Sequence, residues 1–192
     1  MRVDEGKDYL NLEANLIQIL SSKNTEYDLI VVSDYKKGTI NYHLMEFLCN
    51  IAKDNKTFVF ADIKSSEIIP RFKELREVFV YKCNNKEFSN LKIPTSSNIA
   101  ASIVTKGKDG CLVMERDVNN KTGQNTFGIR PSFVRDVVDP VGAGDAFLVG
   151  MAAAYLKEGK LDMMKIAQSG MKFAEAKVFH FGTYVLKPED VK

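Results

Sequence analysis

The 192-residue chain is predicted to form one α/β domain, spanning residues 1–192, around a mostly parallel central sheet. Two short runs rich in β-branched and aromatic residues, Tyr27–Asp34 and Thr57–Asp62, are typical of buried strands. Between them, Asn41–Lys53 carries apolar residues at the helical spacing. A strand, a helix and a strand of this size make a crossover unit, which leaves the two strands parallel. No internal repeat or interior linker divides the chain.

Composition excludes several classes of protein. The content of 45% hydrophobic and 27% charged residues is that of a soluble globular protein. The net charge of +2 comes without a basic arm, so no nucleic-acid partner is expected. The chain has no apolar run of membrane-spanning length and no signal segment, so we expect no membrane partner and a cytoplasmic location. The three cysteines are far apart and are expected to be free thiols.

The remaining elements are predicted from the same periodicities. Helices are expected at 10–20, at 67–76, from 146 onward and at 161–179, and strands at 77–81, 100–105 and 111–114, the last antiparallel. The polar residues 115–128 are expected to form a surface turn before an edge strand that ends at Phe133–Val134.

Aspartates end the first two predicted strands. Ligands of open α/β sheets bind beyond the carboxyl ends of the strands, so Asp34 and Asp62 point toward a site. The alternative, and the commoner role of such an aspartate, is to cap the turn that follows the strand.

The glycine-rich stretch Asp139–Phe147 is the strongest candidate for chemistry. Gly142 and Gly144 flank Ala143, and Asp145 then opens a run of helix-forming residues. The first amides of a helix have no partner within it, so this turn suits an anion, with Asp145 placed to accept a proton. An ordinary tight loop with a capping aspartate is an equally good interpretation of the spacing alone.

This stretch resembles the carboxy-terminal signature of the ribokinase-like, or PfkB, family of sugar and nucleoside kinases. The resemblance implies a three-layer α/β/α sandwich, with ATP as phosphoryl donor. It also implies that Asp145 is the catalytic base and that the amides of Gly142, Ala143 and Gly144 form the anion hole. A monovalent cation beside Asp139 is implied as well, although the chain has Pro140 and Val141 where the family often has threonines.

A second motif follows the third predicted strand. Asn84 and Glu87 are three residues apart, so on a helical turn they share a face and suit a hydrated Mg²⁺. They fit equally well an N-cap with its capping-box glutamate. The pair resembles the Asn-x-x-Glu motif of the same kinase family, which helps to place magnesium and phosphates.

A third motif follows the fourth predicted strand. Thr105, Gly107 and Gly110 are compatible with an ordinary hairpin that has glycines where positive φ is needed. They also match the Thr-x-Gly-x-x-Gly element that lines the nucleotide site in this family. The segment from Gly182 resembles the closing Gly-Thr-x-x-Val of bacterial heptose kinases, whose Asn-Ala pair near the adenosine falls here at Met171-Lys172.

The segment Ser33–Gly38 resembles the Ser-Asp-Tyr-x-Lys-Gly motif of D-glycero-D-manno-heptose 7-phosphate kinases, which act in making ADP-heptose for the lipopolysaccharide core. The resemblance implies that Asp34 and Lys37 bind a phosphate-bearing sugar, together with Asp145. Without that motif, the two lysines of this segment read as a solvated turn.

The resemblance covers only the later part of the family. The amino-terminal half, with its Gly-Gly sugar-binding motif and β lid, has no counterpart before Asp4. The first hypothesis is therefore the nucleotide-binding part of a sugar kinase, acting on heptose 7-phosphate or on another sugar or nucleoside. We expect it to self-associate or to use a partner chain for the missing half. The second hypothesis is a non-catalytic nucleotide-binding or interaction protein.

Overall fold

A six-stranded sheet forms the middle layer of the computed structural model, which describes residues 9–22, 26–64, 71, 75, 79–91, 99–116, 124–132 and 136–191. The strands follow chain order across the sheet: β1 (Ile30–Ser33), β2 (Val59–Asp62), β3 (Phe79–Asn84), β4 (Ala101–Thr105), β5 (Cys111–Arg116) and β6 (Gln124–Ile129). The helices are α1 (Tyr9–Ser22), α2 (Tyr42–Asp54), α3 (Asn85–Leu91), α4 (Ala143–Glu158) and α5 (Met163–Lys177).

The sheet is mostly parallel, as the sequence predicts. Strands β1 to β4 run parallel to one another, and β5 and β6 are added as antiparallel strands. The parallel strands consequently present their carboxyl ends at one edge of the sheet, where ligands of open α/β sheets bind.

Neighbouring residues of the central strands enter two separate hydrophobic cores. In β2, Val59 and Ala61 belong to one core and Phe60 to the other, because successive side chains of a strand point to opposite faces. The first core contains side chains of α2, with α1 packed against it, and the second contains side chains of α4 and α5. This is the predicted three-layer arrangement.

Helices α4 and α5 pack very closely. A Cβ atom on Gly150 would lie 2.6 Å from the carbonyl oxygen of Ser169, and one on Gly170 would lie 2.7 Å from the ring of Phe147. Glycine at both positions therefore permits the close approach. The two helices cross the same face of the sheet in opposite directions, which brings the end of α5 beside the start of α4.

Two elements differ from prediction. Strand β1 is a short edge strand with Val31 46% exposed, so it is not covered on both faces. The edge strand β6 lies within residues expected to form a polar turn, because its largely exposed residues lack a strong apolar alternation. The helix predicted at 67–76 lies almost entirely outside the described residues, as does Phe133–Val134. Within the described residues, none of the helices is long and apolar enough to cross a membrane.

Candidate active site

Polar residues cluster where the parallel strands end. In register, Ser33 pairs with Asp62 and Asp62 pairs with Lys82, while Asn84 pairs with Thr105 two residues further along β3. The topology therefore brings five polar residues to the carboxyl ends of the parallel strands. Asp62, Asn84 and Thr105 were predicted site residues, and Ser33 and Lys82 were not.

The glycine turn begins α4 at this edge. Gly142 is the N-cap residue and has φ +81°, a conformation that strongly favours glycine. The Ala143 amide donates to the Pro140 carbonyl oxygen at 3.2 Å. Within the described part of the chain, the amides of Gly144 and Asp145 have no acceptor. The first turn of α4 thus presents unpaired donors of the kind that bind anions.

The carboxylate of Asp145 accepts hydrogen bonds from two hydroxyl groups of the first strand and its exit. The Ser33 hydroxyl donates at 3.1 Å and the Tyr35 hydroxyl at 2.8 Å. The hydrogen bond to Asp145 and, to a smaller extent, desolvation raise the pKa of Tyr35 above its ordinary value, so the phenol remains a proton donor. Asp145 is thereby held as a hydrogen-bond acceptor at the mouth of the site.

Ser33 and Tyr35 were not among the predicted site residues. Strand alternation would have indicated them, because residues 33 and 35 share a face that is opposite to residue 34. Both are exposed, Tyr35 to 58%, whereas Asp34 is 2% exposed.

Asp34 braces the loop that carries Tyr35. Its carboxylate accepts hydrogen bonds from the amides of Lys36 at 2.8 Å and of Lys64 at 3.0 Å. This is the turn-capping role that was the alternative interpretation of Asp34, and its role as a substrate ligand stays a prediction. Lys37 lies exposed on the same loop, where binding of a phosphate likewise stays a prediction.

A buried ion pair lies directly beneath the glycine turn. Lys82 Nζ is 2.5 Å from Asp62 Oδ2, and each side chain is 4% exposed. Lys82 Nζ is also 3.0 Å from the position that a Cβ atom on residue 144 would occupy. Gly144 therefore permits the turn to lie directly on this ion pair, with the ammonium nearer to the turn than the Asp62 carboxylate oxygen at 3.9 Å.

The Lys82–Asp62 pair went unrecognised in the sequence. A lysine within an otherwise apolar strand was the available signal, because lysine is almost never fully buried unless it is paired. Asp62 Oδ1 is buried without a hydrogen-bond partner among the described residues. A buried carboxylate oxygen without a donor is compatible with a ligand or a water molecule at this position.

Asn84 and Glu87 form a reciprocal capping box at the start of α3. The backbone amide of Asn84 donates to Glu87 Oε2 at 2.8 Å, and the backbone amide of Glu87 donates to Asn84 Oδ1 at 2.9 Å. The structure thus shows the capping interpretation of this motif. It does not test magnesium binding, which needs only one oxygen of each side chain or an intervening water.

The Thr105–Gly110 element is a hairpin between β4 and β5. The Thr105 hydroxyl donates to the Cys83 carbonyl oxygen at 3.2 Å, which ties the hairpin to β3. Gly107 and Gly110 both have positive φ, as the hairpin interpretation requires.

An apolar cavity of about 250 Å³ lies between this hairpin and α5. It reaches the glycine turn, since Pro140 and Ala143 line it, and Gly107 lines its opposite side. Met171, at the position that aligns with the heptose kinases' asparagine, is also in its wall. An apolar slot that reaches the glycine turn at Ala143, next in sequence to the unpaired amides of Gly144 and Asp145, suits a nucleotide base joined to phosphates.

Asp139 connects the turn to the carboxy-terminal segment. Its two carboxylate oxygens accept from the Val141 amide at 2.9 Å and from the Gly182 amide at 2.8 Å. The amides of Val138 and Asp139 donate to the Val178 carbonyl oxygen at 2.9 and 3.1 Å. The segment after α5 is therefore hydrogen-bonded to the residues that begin the glycine turn and fixes their position.

A preformed metal cage is absent from the described residues, where no three His, Cys, Asp or Glu side chains converge. Mg²⁺ in phosphoryl-transfer sites keeps several waters and is held largely by substrate phosphates, with one or two carboxylates. The buried, unpartnered Asp62 Oδ1 and the Glu87 carboxylate fit that looser requirement.

Solved structures with similar folds are sugar and nucleoside kinases. Phosphofructokinase-2 from Escherichia coli, in complex with substrates and products, superposes with a TM-score of 0.68 at 19% identity, over 95% of this chain and 59% of that one. A nucleoside kinase from Methanocaldococcus jannaschii, described as an archaeal member of the ribokinase family, gives a TM-score of 0.62 at 21% identity, over 88% and 55%. These likenesses identify the fold as ribokinase-like.

Sequence comparison gives relatives that are longer than this chain. The bifunctional protein HldE of Helicobacter pylori is 26% identical in an alignment of 180 residues that covers 84% of this chain and 36% of the relative. HldE of Aliarcobacter butzleri is 26% identical in an alignment of 164 residues that covers 78% of this chain and 33% of the relative. The chain thus spans about a third of the length of these curated relatives. The model of the pfkB family carbohydrate kinases matches residues 7–190, and the chain belongs to that family.

Proposed function

We propose that residues 1–192 form the nucleotide-binding part of an ATP-dependent kinase that phosphorylates a hydroxyl group of a sugar or sugar phosphate. The observation that carries this proposal is the environment of Asp145. Its carboxylate already accepts two hydroxyl donors, and it lies on the same helical turn as the unpaired amides. An acceptor hydroxyl bound in this way would pass its proton to Asp145. The unpaired amides of Gly144 and Asp145, on the turn that Gly142 and Ala143 begin, would stabilise charge on the transferring phosphoryl group.

The apolar cavity supports ATP as the phosphoryl donor. Its wall of Met171, Ala174 and Val178 would cover the adenine base. Thr105, Gly107 and Gly110 would line the nucleotide on the hairpin side, and the phosphates would extend toward Gly144, above Lys82. Mg²⁺ near Asn84 and Glu87 would neutralise charge on the phosphates.

We further propose heptose 7-phosphate as the acceptor, in the synthesis of ADP-heptose for lipopolysaccharide. The Ser33–Gly38 motif and the similarity to HldE proteins support this choice over other sugars or nucleosides. Ser33 and Tyr35 contact Asp145, so the motif lies beside the proposed base, which supports an acceptor site here. The exposed Lys37 offers a mobile positive charge for a sugar phosphate.

The second candidate is a non-catalytic nucleotide-binding or interaction protein. It is favoured by the apolar surface beside the acceptor position, where Val31 on edge strand β1 is 46% exposed and Tyr35 is 58% exposed. A partner chain or a second copy of this chain that covers this surface would also close the acceptor side of the kinase, because lid closure excludes water and positions the hydroxyl.

Calorimetry with ATP and Mg²⁺, followed by assays of phosphate transfer to heptose 7-phosphate, other sugar phosphates and nucleosides, separates the candidates. Asp145→Asn should lower turnover by about 10²- to 10⁴-fold, because it removes the base. Its affinity for ATP should stay within about twofold, since the apolar cavity and the amides remain. Asp162→Asn is the matched control, because it changes a helix-start aspartate that caps α5.

The outcomes are distinct. Turnover that Asp145→Asn abolishes supports the kinase, and the best acceptor defines its substrate. ATP binding without turnover on any acceptor favours the second candidate. A chain that does not bind ATP at all would contradict the kinase and the nucleotide-binding form of the second candidate.

A further inference from the structure

A second buried lysine lies behind the glycine turn. Lys177, the last residue of α5, is only 2% exposed. Its Cε is 3.3 Å from the position that a Cβ atom on Gly142 would occupy. The turn therefore lies against two buried lysines, with Lys177 next to its first glycine and Lys82 next to its second.

The buried positive charge of Lys177 has a different partner from that of Lys82. Its Nζ donates to the His180 carbonyl oxygen at 3.0 Å. Among the described residues, no carboxylate lies within 4.0 Å of it, whereas Lys82 has Asp62. Removing an ammonium from water costs several kcal/mol, so a buried lysine with a carbonyl partner needs further favourable interactions.

Asp139 is the carboxylate that anchors the turn, through its bonds to the amides of Val141 and Gly182. The amides of Val141 and Gly182 hold the pKa of the Asp139 carboxyl below its ordinary value, and the nearby Lys177 charge contributes in the same direction. Lys177 lies against this turn at Gly142, and its charge favours the ionised form of the carboxylate that bonds the turn to the carboxy-terminal segment.

We propose that the Lys177 ammonium is a tethered internal cation that holds the Asp139–Gly144 turn in its anion-binding shape, in place of a bound monovalent cation. A potassium ion in a protein is held by carbonyl and carboxylate oxygens, and an ammonium group uses the same ligands. A free cation placed beside Asp139 would meet the fixed charge of Lys177, which would repel it. Pro140 and Val141 also offer no hydroxyl ligands.

A simpler role is available to any lysine at the end of a helix. Such a lysine interacts favourably with the helix dipole and can bond to the last carbonyl groups. A capping lysine would stabilise the chain, but its removal would create no dependence on a particular cation. Cation dependence therefore distinguishes the two roles.

The test compares the wild-type chain with Lys177→Met in choline, sodium, potassium and ammonium chloride at one ionic strength. Thermal midpoints are measured in every salt, and the affinity for Mg²⁺-ATP is measured by calorimetry. The thermal midpoint and the ATP affinity of the wild-type chain should not depend on the cation. Lys177→Met should lose about tenfold in ATP affinity in choline chloride, the equivalent of one charge-assisted hydrogen bond, and regain most of it in potassium or ammonium chloride. Its thermal midpoint should follow the same order of salts.

Lys157→Met, which changes an exposed lysine in the last turn of α4, is the matched control and should behave as wild type. Lys177→Gln is the second variant in case Lys177→Met does not fold. A wild-type chain that responds to potassium, or variants that respond to no cation, would overturn the proposal. The ATP measurement rests on the proposed function, but the thermal midpoints do not, so a failure of nucleotide binding leaves the cation test decisive.

Discussion

The two sides of Asp145 are held very differently. On the nucleotide side, the glycine turn lies over the buried Lys82–Asp62 pair, against the buried Lys177 and beside an apolar cavity. On the acceptor side, Asp145 meets the side chains of Ser33 and Tyr35, and Tyr35 is 58% exposed. The comparison indicates that this chain builds the proposed nucleotide site from its own core and leaves the proposed acceptor site open to solvent or to a partner.

The largest expected effect is on stability and comes from breaking the buried Lys82–Asp62 ion pair beneath the glycine turn. Lys82→Met leaves the Asp62 carboxylate buried without its cation, which should destabilise the chain by about 3–5 kcal/mol. Adding Asp62→Asn removes the stranded charge and should restore much of the stability. Chemical denaturation of both variants measures this, with the exposed Lys86→Met as control. A single variant as stable as the control would show that the pair does not support the turn.

A smaller effect is expected from filling the cavity. Ala174 lines it from α5, so the ring in Ala174→Phe would occupy the space proposed for adenine. The affinity for ATP should fall by at least about tenfold, which corresponds to about 1.4 kcal/mol. Calorimetry measures the affinity, and a near-native thermal midpoint shows that the fold is kept.

Ala153→Phe is the matched control for this substitution, because it adds the same ring to an exposed position of α4. Unchanged ATP affinity in Ala174→Phe would place the base elsewhere and would weaken the comparison between the two sides.

The smallest effect is expected on the acceptor side. Tyr35→Phe removes one partly solvated hydrogen bond to Asp145 and should change the free energy of unfolding by about 1 kcal/mol or less. Affinity for ATP should stay within about twofold, because Tyr35 is outside the cavity wall. A loss as large as that in Ala174→Phe would assign Tyr35 to the nucleotide side.

Motifs of the candidate site could be predicted from the sequence wherever residues close along the chain decide the local structure. Asp145 lies in the first turn of a helix after two glycines, and Asn84 and Glu87 form a capping box, because both arrangements depend on contacts within a few residues. The aspartate after β1 illustrates the limit of this reasoning. Asp34 was predicted to point toward the site, yet its carboxylate binds two amides, and the exposed neighbours Ser33 and Tyr35 reach Asp145 instead.

By itself, the sequence determined the α/β class, the parallel pairing of the first two strands and the position of the glycine turn, because periodicity and turn chemistry are local properties. Only the tertiary structure decided what surrounds that turn. Ser33 and Tyr35 are 112 and 110 residues from Asp145 along the chain, and Lys82 reaches Asp62 from the neighbouring strand. Lys177 meets Gly142 only because α4 and α5 pack side by side. Such contacts depend on the register of the sheet and on helix packing, which no short segment encodes.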